Sequence, residues 1–129
     1  MENTESCCIA RILKVIDVLQ KESVCEELPE GCSRPFLGNS SSNVYNTRPI
    51  TLYTRSGNLF TANYYVENSL RTSNVFRVES VNDCCATLRI LSSTTRENNT
   101  CYSDTNEFVT INLECFCGIR CLNDTFIEL

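Results

Sequence analysis

A chain of 129 residues is the size of one ordinary domain and buries roughly two thirds of its unfolded surface on folding, so a hydrophobic core alone can hold it. A formal charge of −5 with no long basic run argues against nucleic acid, whose phosphates demand clustered Lys and Arg. The outlying feature is ten cysteines beside no histidine, close to the density of small disulfide scaffolds in a chain that needs no staples to fold.

Residues 1–8 are acidic and polar, without the positive start of a signal peptide, and the apolar stretch that follows is broken by Arg11, Lys14 and Asp17. It is neither a signal core nor a membrane span. The expected site of synthesis is therefore a reducing cytosol, where disulfides do not persist. Cys8, Ile12, Val15, Ile16 and Leu19 recur at helical spacing, which predicts an amphipathic helix over 6–22 with Thr4 or Ser6 as its cap and Asp17–Lys21 as an i,i+4 pair. Residues 23–48 carry Pro29, Gly31, Pro35 and Gly38 and read as a loop pinned by Cys25 and Cys32.

From Pro49 the period becomes two, and 49–129 reads as a β-domain. Residues 50–53 and 59–66 flank Ser56-Gly57-Asn58 as a first hairpin; 74–81 and 85–91 flank Asn82-Asp83 as a second. The polar stretch 92–106, containing Cys101, is expected to be irregular. One long strand over 107–117 and a short one over 125–127 complete the chain. The fold class is mainly β: an antiparallel β-sandwich or partly closed barrel of about six strands with one N-terminal helix, as a single domain over 1–129.

No histidine means no Cys–His or Ser–His nucleophile. No Cys-x-x-Cys, P-loop or GxGxxG occurs either, so no enzyme activity, cofactor, small-molecule substrate or membrane partner is expected. The sequons at Asn39, Asn98 and Asn123 are what an Asn- and Ser-rich chain produces by chance.

The cysteines divide by geometry. Neighbouring Cα atoms lie about 3.8 Å apart, too close for the usual disulfide, so Cys7-Cys8 and Cys84-Cys85 must each serve two different partners. The helical stripe places Cys8 inward and Cys7 outward. The strand pleat places Cys84 inward, Cys85 outward, and Cys115 and Cys117 on the core face with Val109 and Ile111. Cys25, Cys32, Cys101 and Cys121 remain unassigned. Three readings stay open: an internal disulfide framework or buried free thiols, an all-thiolate zinc site using Cys115, Cys117 and Cys121, and cross-linking between chains through outward Cys7 and Cys85.

Arg34-Pro-Phe-Leu-Gly38, Asn46-Thr-Arg-Pro-Ile-Thr-Leu-Tyr-Thr54, Val75-Phe-Arg-Val-Glu-Ser-Val-Asn-Asp-Cys-Cys-Ala-Thr-Leu-Arg-Ile-Leu91 and Thr110-Ile-Asn-Leu-Glu-Cys-Phe-Cys-Gly-Ile-Arg-Cys-Leu122 together resemble the spore coat protein Y/Z family, with the last the most specific. The resemblance implies a structural protein of the spore crust or exosporium basal layer. Such a protein forms two-dimensional arrays and disulfide-linked multimers with itself and related coat and exosporium proteins. It also implies synthesis in the mother-cell cytosol without a signal peptide and oxidation only after that cell lyses, which accounts for the thiol load. The short leader without histidine and the short 92–106 segment depart from the larger members.

Overall fold

The computed structural model describes residues 8–25 and 45–129. Its helix, α1, spans Cys8–Cys25, so three residues expected to be loop are its last turn. Ile9, Ala10, Leu13, Ile16 and Gln20 are buried, while Ile12, Val15, Val18 and Leu19 are exposed. Of the expected stripe only Ile16 faces inward; the helix is rotated by roughly one residue, about 100°. Two apolar stripes run along this helix, and periodicity alone does not choose between them. Gln20 belongs to the buried one: its Nε2 donates to the Val78 carbonyl at 2.9 Å and its Oε1 accepts from the Arg48 amide at 3.0 Å. Two backbone groups that would otherwise be starved are thus paired. Lys21 donates to Asp17 at 3.1 Å, the expected pair.

Seven strands follow among the described residues: β1 (Ile50–Thr54), β2 (Ala62–Val66), β3 (Ser69–Ser73), β4 (Val75–Asn82), β5 (Cys85–Arg96), β6 (Asn99–Asn112) and β7 (Phe116–Cys121). They form a five-stranded antiparallel sheet ordered β6-β5-β4-β1-β7 and a separate β2-β3 pair. Among the described residues the architecture is sandwich-like with one helix, and no barrel closes.

The β4–β5 hairpin is the expected one, with Asp83 at φ 57° in its turn. The first expected hairpin is not continuous: only Tyr53 and Leu59 bridge, and β2 pairs with β3 instead. The segment 92–106 is also not irregular. β5 runs on to Arg96 and turns through Glu97 and Asn98, both at positive φ, and β6 returns from Asn99. Two consecutive positive φ values fit the twist of a tight hairpin. Because this hairpin is polar on both sides, it shows no hydrophobic alternation. The expected long last strand is broken by a 3-10 turn, Leu113–Cys115, whose start is capped by the Asn112 side chain accepting from the Glu114 amide.

One sheet face carries Ile50, Leu52, Phe76, Val78, Ala86 and Leu88 against α1, with Tyr64 of β2 in the same core. Phe60 packs between Phe76 and Phe116 at centroid distances of 5.4 and 5.1 Å. The opposite face buries Val75 and Leu91 under Ile127. There Thr47 bridges Thr125, and Asn46 exchanges two 2.9 Å bonds with the backbone of Ile127. Beside this cluster lies an ionic ladder. Glu79, the extra residue of a β-bulge, accepts from Arg77 at 2.6 Å and from Arg89 at 2.8 Å, and Arg89 also reaches Asp104 at 2.8 Å.

Candidate functional site

Among the described residues no three His, Cys, Asp or Glu side chains gather as metal ligands, and no helix is long and apolar enough to cross a membrane. The chemically distinctive groups are the thiols. Cys8, Cys85, Cys101, Cys115, Cys117 and Cys121 are free and exposed. Cys84 differs: it packs partly buried against the main core and is disulfide-bonded. Cys7 and Cys32 lie outside the described residues, and of Cys25 only the helical backbone is described.

Three inward expectations are corrected. Cys8 is exposed because the helix presents the neighbouring stripe, Ile9 and Leu13, to the sheet. Cys115 ends the 3-10 turn, where strand alternation no longer applies. Cys117 is the extra residue of a bulge, since Thr54 pairs with Phe116 and Tyr53 with Gly118. Its thiol lies on the surface, donating to the Thr54 carbonyl at 3.1 Å. Cys115 and Cys117 therefore do not share a core face, and an Asn-x-Glu sequence, whose first side chain caps the turn, is the local signal that separates them.

Cys85 lies on the opposite side of β5 from buried Ala86, between Asn82 and Asn112 on the neighbouring strands. Cys101 sits near the tip of the β5–β6 hairpin, opposite Thr94. Cys121 ends β7 opposite Ile50, at an open polar groove of about 700 Å³ lined in part by Asn99, Tyr102, Arg120 and Asp124. Close by, Arg48 clasps Asp124 with two bonds of 2.6 and 2.9 Å. That bond is the main reason the Arg48 guanidinium holds its proton more tightly than usual, and the nearby Cys121 adds to it.

The same bond holds the Asp124 carboxyl below its ordinary range, against the opposing effect of partial burial. A depressed folded pKa stabilises the fold above the unfolded carboxylate value of about 4, and that contribution is lost as pH falls through the folded pKa. The pair is substantially exposed, so its contribution is under about 1 kcal/mol. Wild type is expected to melt slightly above Asp124→Asn at pH 7, with the gap closing at acid pH in parallel thermal scans.

The arrangement is thus a β-scaffold that displays free thiols at several points. The family model for Spore coat protein Z matches residues 1–108. Spore coat protein Z of Bacillus subtilis (strain 168) is 31% identical over 145 residues, covering 99% of this chain and 97% of that protein. No solved structure matches. The family match ends before β7, but the full-length relative extends across it. With a family model over most of its length and a relative aligned almost end to end, this chain belongs to the Spore coat protein Z family and is a structural protein of the spore coat.

Proposed function

We propose that this protein builds the outer layer of the spore, crust or exosporium basal layer, by assembling with copies of itself and related coat proteins into ordered arrays that disulfides between chains then lock. The observation that carries this reading is the set of six free, exposed cysteines among the described residues of one sheet-based scaffold. Free cysteines are ordinarily buried as small apolar residues, and an exposed one is a liability unless it reacts with another molecule. In a reducing mother cell these thiols stay reduced; oxidant reaches them after lysis, and dissociation then depends on thiol exchange rather than affinity. Outward Cys85, together with Cys7, supplies candidate links.

The test combines electron microscopy of purified protein with denaturing gels run without reductant. Ordered sheets, tubes or fibres and a reductant-sensitive multimer ladder are expected. A monomer band alone after oxidation, or a monomer with bound zinc by native mass spectrometry, would overturn the reading in favour of a monomeric binding module.

A further inference from the structure

The five-stranded sheet has two edges, and they are treated differently. Along β6 the β2–β3 hairpin makes contact: the Tyr65 amide donates to Glu107 at 3.0 Å. Along β7 no strand pairs on the outer side among the described residues. Exposed edges are normally blunted by proline, by several charges or by very short strands. The six residues of β7, Phe-Cys-Gly-Ile-Arg-Cys, contain one charge and no proline.

Hydrogen-bond parity shows which groups β7 offers. The Leu122 amide donates to the Pro49 carbonyl at 2.8 Å, so at the next positions in register Arg120 and Gly118 also turn their backbone groups toward β1. Ile119 and Cys121 then turn theirs to the open edge. Cys117, as the bulged residue, has no partner residue on β1. Its thiol and that of Cys121 are both free and exposed.

This strand is complementary to itself. Laid antiparallel against a second copy and centred on Ile119, it sets Cys117 opposite Cys121 of the second copy, and Cys121 opposite its Cys117. Arg120 meets Gly118, so the two like charges do not oppose each other. Hydrogen-bonded partners in such a ladder have Cα atoms about 5.5 Å apart, within the range a disulfide spans. A partner of different sequence would have to reproduce the same four-residue thiol spacing in the opposite direction; another copy of this chain has it already.

We propose that β7 is a self-pairing edge through which two copies join about a two-fold axis at Ile119 and lock with two reciprocal Cys117–Cys121 disulfides. The step consumes an oxidised low-molecular-weight disulfide. A Cys thiolate attacks it and releases one small thiol; the facing Cys thiolate then attacks the mixed disulfide and releases the second. Two protein thiols are oxidised, and one small disulfide is reduced to two thiols. The inference rests on the self-assembly reading and names one of its contacts. A two-fold contact is closed on itself, so extended arrays require at least one further interface.

Equal amounts of unlabelled and nitrogen-15-labelled protein, mixed reduced, oxidised with a small disulfide and digested with trypsin, test it. Cleavage after Arg120 separates the two cysteines. A Cys117–Cys121 cross-linked peptide of mixed isotope is expected, assigned by fragmentation. It should vanish in Cys117→Ser alone and in Cys121→Ser alone, and return when the two variants are mixed, because one complementary pair is then restored. Multimers whose mixed-isotope links all join other cysteines would overturn the β7 contact and leave self-assembly standing. Absence of any multimer under the same oxidation would overturn both.

Discussion

Replacing Glu79 with alanine is expected to lower the free energy of unfolding by about 3–5 kcal/mol, read from urea denaturation followed by circular dichroism. Glu79 is the shared acceptor of two arginines: Arg77 at 2.6 Å and Arg89 at 2.8 Å. The Arg77 side chain is only 6% exposed. Its other guanidinium nitrogens donate to the Thr47 hydroxyl and the Asn46 carbonyl, both neutral, so without Glu79 it bonds no other carboxylate among the described residues. Arg89 keeps Asp104 at 2.8 Å and lies 4.6 Å from the Phe108 ring centroid, and so loses less. The cost is that of a buried cation deprived of its counter-charge, not of a missing attraction between surface charges. Removing the ladder as a unit, with Arg77→Met and Arg89→Met added to Glu79→Leu, is expected to recover much of the loss, because no unpaired charge then remains buried. A native domain holds only about 5–15 kcal/mol in all, so the single variant should show a clear drop in melting temperature.

Leu13→Ala is expected to cost about 2–5 kcal/mol, whereas Val15→Ala should stay within about 0.5 kcal/mol in the unassembled protein. Leu13 is fully buried in the main core; Val15 is 59% exposed. A truncation at Leu13 removes contacts and leaves a cavity that a strand-backed helix cannot readily close. The comparison is decisive for the helix, because the stripe through Cys8, Ile12, Val15 and Leu19 predicts the opposite order. Denaturant midpoints of the two variants, measured in reductant at low protein concentration, read out the difference.

That helix shows where sequence reading stops. Its existence and its Asp17–Lys21 pair follow from spacing within a few residues, and both are present. Its orientation does not follow, because Ile9, Leu13 and Ile16 make as good a stripe as Ile12, Val15 and Leu19. The buried choice is made by contacts distant in sequence: Gln20 reaches Val78 on β4 and Arg48 just before β1, which periodicity does not connect to it. The cysteines carry the same lesson. A regular period turns Cys8, Cys115 and Cys117 inward, but the choice of helix stripe exposes the first, and a turn and a bulge redirect the other two.

The sequence by itself determined the mainly antiparallel class, the N-terminal helix, the β4–β5 hairpin and the family, because each depends on local period, turn chemistry or consecutive residues. Tertiary structure alone decided the rest. It joined β2 to β3 rather than to β1, extended a polar segment into a long hairpin, and left β7 without an outer partner among the described residues, with Cys117 and Cys121 exposed. The physical reason is that hydrophobic contrast marks which residues want cover but not which neighbour supplies it. A strand polar on both faces, or one whose partner lies some seventy residues away, leaves no local trace of its pairing.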